Sequence, residues 1–196
     1  MNSWKVVIAG LLLGGTLGTS ARASDATPEF TALAVRPSYS LGAPVLVRLT
    51  LTNNAQPAGY EAPFFVLIPR LTFGPQLPDW PYLQVAFSVT GPDGRPVLPT
   101  LLAPYKLAEP QITQFSELHA GDFFGRTVDL SAQWVGFSFP TPGKYVVKAT
   151  LSTGARRWLN EWLKGKGNRK SGLPFSQEHV WGGTLAAAPF DIVVTK

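Results

Sequence analysis

Three observations predict an all-β fold, an antiparallel β-sandwich of about seven or eight short strands. Residues 140–151 join a Pro142-Gly143 turn to strict alternation, with Tyr145, Val147, Ala149 and Leu151 on one face and Val146, Lys148 and Thr150 on the other. That period of two belongs to a strand buried on one side only. Residues 45–52 repeat it, Val45, Val47, Leu49 and Leu51 alternating with Leu46, Arg48, Thr50 and Thr52. Finally, 19 glycines and 18 prolines punctuate the chain, and one stretch alone has a helical period. A tyrosine placed as Tyr145 is, just after a tight corner at the start of a late strand, is expected to pin that corner through its hydroxyl.

The chain opens like a signal peptide. Lys5 supplies a positive start, residues 6–17 an apolar run, and Ala21 and Ala23 the small residues a signal peptidase reads, so cleavage after Ala23 is expected. An uncleaved anchor is disfavoured: about 20 apolar residues span a bilayer, and this run is about a dozen, broken by Gly10, Gly14 and Gly15. No transmembrane helix is expected after cleavage. Residues 24–196 suit a single domain with a real core. Without cysteine, such an exported domain has no disulfide, thiolate metal site or thiol nucleophile, and its stability rests on packed apolar surface. A periplasmic or secreted protein of a bacterial envelope fits these features.

In the first strand region, residues 30–36, Leu33 and Val35 are expected to face the core. Residues 36–44 form a turn that delivers the alternating 45–52 strand, which Asn53-Asn54 ends. Residues 62–70 hold Phe64, Phe65, Val66, Leu67 and Ile68 without alternation, the mark of a strand buried on both faces or bent by a bulge. Pro69, Pro75, Pro78 and Pro81 exclude a helix and disfavour a regular strand up to Tyr82, with Phe73 and Trp80 folding back over the core edge. Leu83, Val85, Phe87 and Val89 resume alternation. The following Gly-Pro-Asp-Gly-Arg at 91–95 is a hairpin turn, after which residues 96–98 pair back. Residues 99–120 are weakly patterned, 120–122 turn into a strand over 123–130, and 131–139, carrying Trp134, cross to the Tyr145 corner. In the last strand Phe190, Ile192 and Val194 point inward. Leu49, Leu51, Phe87, Tyr145, Val147 and Ile192 should therefore be buried together.

Residues 153–183 interrupt this rhythm. Trp158, Leu159, Trp162 and Leu163 share one helical face, predicting a short amphipathic helix over 152–164 with Ser152 or Thr153 as its cap and Gly165 at its end. A glycine- and lysine-rich basic loop follows before Trp181-Gly-Gly leads to the last strand. The net charge is +5 at pH 7, and it is concentrated here. Arg156, Arg157, Lys164, Lys166, Arg169 and Lys170 face one acid, Glu161. With Trp158 and Trp162 these cations are the candidate partner-binding residues, suited to a protein partner or to an anionic surface, membrane or acidic glycan. The plainer reading is that the tryptophans cap an open edge of the sandwich and the charges are solvated. Nucleic acid is not expected as a partner, because the chain reads as exported and the rest of the mature part is mildly acidic.

Taken together, Tyr39-Ser-Leu-Gly-Ala-Pro-Val before a long strand, Gly91-Pro-Asp-Gly-Arg, Asp129-Leu-Ser, Pro142-Gly-Lys-Tyr and Trp181-Gly before Phe-x-Ile-Val resemble the layout of immunoglobulin-like exported bacterial domains. More loosely, they are similar to sandwiches of the BsuPI intracellular proteinase inhibitor kind. The resemblance covers most of residues 30–195 except the helix and basic loop. It implies an immunoglobulin-like antiparallel β-sandwich with a binding or structural role and no catalytic residues to transfer.

Chemistry-bearing motifs are sparse. His119 and His179 are the 2 histidines, both beside turn-like sequence, and Glu117, Asp122 and Glu178 near them make no metal-ligand spacing. Exposed loop histidines are the expected reading, with Glu117 and His119 a conceivable carboxylate–imidazole pair. There is no G-x-S-x-G nucleophile motif and no phosphate loop, since the glycines at 91–94 belong to a hairpin and Gly165-Lys-Gly lacks the strand before it. No catalytic residue, metal ligand or cofactor is assigned. The expectation is a non-catalytic exported binding or structural module. The alternatives are a proteinase inhibitor acting through a loop such as 69–82, and a hydrolase whose carboxylate pair cannot be selected from sequence.

Overall fold

The computed structural model describes residues 28–54, 64–74, 80–100, 108–165 and 173–196. The expected signal peptide and its cleavage site lie outside the described residues. Among the described residues, twelve strands and one α-helix follow in chain order: β1 Pro28–Ala34, β2 Ser38–Ser40, β3 Leu46–Asn53, β4 Phe64–Leu67, β5 Leu71–Phe73, β6 Leu83–Thr90, β7 Pro96–Val97, β8 Ser116–His119, β9 Phe123–Asp129, β10 Gly143–Thr153, α1 Ala155–Gly165, β11 Gly183–Ala186 and β12 Phe190–Thr195.

The alternating segments form the framework. One sheet runs β1-β3-β9; a larger one runs β2-β12-β10-β6-β5, with β11 joined to β10 and β7 to β6; β4 and β8 make a small third sheet. The inward faces of the first two share one apolar core, an arrangement compatible with a β-sandwich. From β3 come Val47, Leu49 and Leu51, and from β10 Tyr145, Val147, Ala149 and Leu151, all at most 2% exposed. Ile192 and Val194 of β12 join them. Phe87, expected in this core, sits instead half-buried at its rim, stacked on Phe73 at 6.3 Å and edge-on to Phe137 at 6.5 Å.

Register decides the one strand whose faces the alternation misplaces. β1 pairs with β3 so that Phe30 meets Leu51 and Ala32 meets Leu49. Phe30 and Ala32 are therefore inside, while Leu33 and Val35 are 60% and 40% exposed. A side-chain period of two lets the large Phe30 set the parity of the whole strand.

The corner works as expected. The Tyr145 hydroxyl donates to the Thr141 carbonyl at 2.8 Å and accepts from the Thr141 amide at 3.3 Å. Tyr39 pins the β2–β3 turn similarly, donating to the Leu46 carbonyl at 2.5 Å and accepting from the Arg36 amide at 3.1 Å. In the 91–95 hairpin Gly94 takes a positive φ of 79°, and the Gly91 amide bonds the Arg95 carbonyl at 2.7 Å. Gly143 starts β10 at φ 143°, where an added Cβ would lie 2.6 Å from Pro92 Cγ, so this crossing of corner and hairpin requires glycine.

Several short strands lie where the sequence has no periodic signal. β2, within the expected 36–44 turn, pairs parallel with β12. β5, in the proline-rich stretch, pairs parallel with β6; β8 lies in the weakly patterned 99–120 segment, and β11 starts within the Trp181-Gly-Gly lead to the last strand. Segments of three or four residues are too short to display a period, and their pairing partners define them. β4 conforms to the two-sided expectation: Val66, Leu67 and Ile68 are all at most 2% exposed, and Val66 and Leu67 belong to different cores.

Candidate functional site

β10 outlasts the sheet's other strands. Its eleven residues span about 35 Å, from the Tyr145 corner to the start of α1. The helix begins at Ala155, later than expected, because residues 152 and 153 still pair with β11. Thr153 makes the hand-over: its hydroxyl accepts from the Ala155 amide at 3.1 Å and donates to the Pro81 carbonyl at 3.0 Å. The Gly154 amide bonds the Trp80 carbonyl at 2.7 Å. The described ends of the 69–82 stretch are thus tied down, with the Trp80 indole donating to the Thr72 hydroxyl at 3.1 Å and the Tyr82 hydroxyl to the Ala108 carbonyl at 2.7 Å.

α1 carries a core of its own. Ala155, Leu159 and Leu163, one stripe at i, i+4 and i+8, are 0%, 0% and 3% exposed, and with Val66 and Val180 they form a cluster separate from the main core. Val66 and Val180 form an isolated parallel bridge, and the Trp181 amide bonds the Val66 carbonyl at 2.9 Å. Half-buried Ile112, Phe115, Trp158, Trp162, Leu173 and Phe175 pack around this satellite core.

The eight candidate residues part company here. Arg156 is structural: its Nε donates to the Val180 carbonyl at 2.6 Å and its Nη2 to the Glu178 carbonyl at 3.0 Å, fastening the returning chain to the helix. Arg157 and Lys164 lie on the exposed side of α1. Lys164 Nζ sits 2.8 Å from Glu161 Oε1. That hydrogen bond, then the Lys164 charge, and to a lesser degree the Arg157 charge, hold the Glu161 carboxyl below the usual carboxylate range, outweighing a small opposing effect of burial. Trp158 and Trp162 are half-buried, neither fully displayed nor fully core. Lys166, Arg169 and Lys170 lie outside the described residues.

The tryptophans belong to a row of rings that sequence reasoning did not assemble. Trp162 and Trp158 have centroids 6.4 Å apart with planes at 29°; Trp158 and Phe115 follow at 6.2 Å and 26°, then Phe115 and Phe175 at 5.1 Å and 41°. Phe115 follows the 3₁₀ turn Ile112–Gln114, and Phe175 lies just before a second such turn, Gln177–His179. Both sit in unpatterned sequence. Their only signal is an isolated large aromatic in a polar stretch.

The histidines adjoin the same end of the molecule. His119 closes β8, pairs across to Phe64 of β4, and its Nε2 lies 3.1 Å from Glu117 Oε2 with both side chains about half exposed. His179 ends the second 3₁₀ turn and is half-buried rather than on an exposed loop. Among the described residues no three of His, Cys, Asp and Glu form a group able to hold a metal ion.

At the opposite end of β10 lies an open cavity of about 620 Å³, lined by the 41–43 turn, Thr100 and residues of the 131–140 crossing. Its polar groups are neutral: the side chains of Thr100, Ser131, Gln133 and Ser138. The Ser131 hydroxyl is already engaged with Asp129 Oδ1 at 2.6 Å. Compared with known proteins, the chain matches no family model and no curated relative. Among the described residues, no helix is long and apolar enough to cross a membrane.

Proposed function

We propose that the chain is a non-catalytic, exported binding or structural module of a bacterial envelope, and that it engages its partner at the α1 end. The observation that carries this reading is the satellite core. Ala155, Leu159, Leu163, Val66 and Val180 hold α1 on the framework, and on that mount sit half-buried aromatic rings beside exposed cations. Large rings left partly accessible next to Arg and Lys are the composition of recognition surfaces. The signal-like start of the chain supports the exported location.

We also read the fold as immunoglobulin-like. On that reading β1-β3-β9 take the places of strands A, B and E and β12-β10-β6 those of G, F and C, with Tyr145 in the place of the corner tyrosine, and the strand orders and the Tyr145 hydroxyl bond support it. Val147 stands two residues on, where antibody domains place a cysteine.

A variant with Lys164, Lys166, Arg169 and Lys170 all changed to Ser tests the site. Retention on an anionic matrix at low salt should fall, while the melting temperature should stay within about 2 °C of the parent, since an exposed pair such as Lys164–Glu161 contributes little to stability. Unchanged retention would move the partner site away from this end.

A further inference from the structure

We infer that β9 is a pairing edge for a second copy of this chain. Two β9 strands run antiparallel about a two-fold axis at Phe124, joining β1-β3-β9 of one copy to β9-β3-β1 of the other. The inference is separate from the α1 site, since no β9 residue belongs to the satellite core.

The edge follows from the ladder. β9 ends the β1-β3-β9 sheet and, among the described residues, pairs with β3 alone. The Asn53 amide bonds the Asp122 carbonyl at 3.0 Å and the Leu130 amide bonds the Val45 carbonyl at 2.9 Å. Even-numbered residues of this stretch therefore turn their main-chain groups to β3. Alternation then aims the amides and carbonyls of Phe123, Gly125 and Thr127 at the open side, a template for another strand.

The side chains select which strand. Arg126 stands opposite the buried Leu49, on the inward face, yet is exposed. Among the described residues its guanidinium has no hydrogen-bond or ion-pair partner. An inward charge at an edge discourages indiscriminate pairing, and it calls for an acid across the interface. Asp122 meets that need: it is exposed, and its Oδ2 accepts from the His119 amide at 3.0 Å, leaving Oδ1 for another donor.

Within one strand Asp122 and Arg126 lie about 13 Å apart and cannot meet. A two-fold axis at Phe124 sets Asp122 of each copy opposite Arg126 of the other, so the ion pair forms twice, and the two Phe124 side chains face each other on the axis. Phe123, 71% exposed, falls opposite Gly125 and covers backbone that has no side chain of its own. Neighbouring registers lose this match. An axis at Arg126 opposes two arginines, and one at Gly125 sets Asp122 against Val128 and Arg126 against Phe124.

Sedimentation equilibrium of the purified protein tests the pairing. One strand pair is at the small, weak end of specific interfaces, so the protein should be monomeric at about 1 µM and largely dimeric at about 100 µM. Arg126→Glu opposes two acids at both contacts and Asp122→Lys two cations, and each should weaken dimerisation at least about tenfold. An equimolar mixture of the two variants should regain it, because each carries the charge the other lacks; that recovery also shows that both are folded. The chain has no cysteine, so single introduced thiols report the register. Phe124→Cys should oxidise to a linked dimer, whereas Thr127→Cys, whose thiols would lie about 20 Å apart, should not. A parent that stays monomeric at about 100 µM, variants that dimerise like the parent, or a mixture no tighter than its components would each overturn the assignment. Linking through 127 and not 124 would overturn the axis at Phe124. A monomeric parent that crosslinks along β9 to an envelope protein would give the edge to another occupant and overturn the dimer.

Discussion

Leu49 and Leu159 are equally hidden, at 1% and 0% exposure, yet their surroundings are assembled in different ways. Leu49 is flanked across the ladder by Ala32 and Arg126 in long antiparallel pairings, within a core of more than twenty buried side chains. Leu159 belongs to five buried side chains supplied by a helix, one residue of the two-stranded β4–β8 sheet and one residue after a 3₁₀ turn. A core held by continuous ladders has few ways to open locally. A small core closed by long chain returns has many, because every buried contact in it depends on segments that are weakly ordered alone. The frame is therefore expected to open less readily than the α1 end, which carries the aromatic rings and exposed cations.

The largest effect expected from breaking this contrast is in the frame. Leu49→Ala should destabilise the protein by about 2–5 kcal/mol through lost transfer free energy and a cavity, whereas Thr50→Ala, one residue along and outward, should change it by less than about 0.5 kcal/mol. Equal losses in thermal melts would mean that the faces of β3 are misassigned.

Next comes the satellite. Leu159→Ala should cost about 2 kcal/mol, the low end for such a truncation, because a small cluster can collapse around the gap. Hydrogen exchange sharpens the comparison: α1 amides should lose protection in this variant while β10 amides at 145–149 keep theirs. Loss of protection in both would show one cooperative unit and dissolve the distinction between frame and satellite.

Tyr145→Phe should cost about 1 kcal/mol, the usual net worth of a part-buried hydrogen bond, since it removes the hydroxyl bonded to the Thr141 carbonyl and amide. Urea unfolding of the variant at neutral pH would measure it, and an unchanged midpoint would make the corner bond incidental.

The smallest effect concerns Glu161. Its folded pKa is lowered by Lys164 and Arg157, so its contribution to stability is present above the ordinary glutamate range and is lost as pH falls through the depressed folded value. Glu161→Gln should flatten the acid limb of the stability profile slightly and leave neutral stability almost unchanged, because the group is exposed. An increased acid sensitivity in that variant would reverse the sign.

The helix was legible in sequence because Trp158, Leu159, Trp162 and Leu163 recur at helical spacing. So were the faces of β3, β10 and β12, where period-two runs last long enough to exclude chance. Leu33 and Val35 misled for a specific reason: alternation states that two faces exist, and only pairing with β3 states which one is inside. Arg156 looks identical to Arg157 in sequence, and its role as a clamp on the Val180 and Glu178 carbonyls depends on where a segment more than twenty residues later returns.

The sequence by itself determined the strand-rich class, the Tyr145 corner, the hairpin at 91–95 and the place of the amphipathic helix, all of which are written in local spacing and turn chemistry. Tertiary structure alone decided that β2 and β5 are parallel edge strands, that β4 divides its side chains between two cores, and that Phe115 comes to lie between Trp158 and Phe175 in the chain of ring contacts. The physical reason is that periodicity records only how a segment meets its immediate surroundings. Which distant segments supply those surroundings depends on competition for shared buried surface.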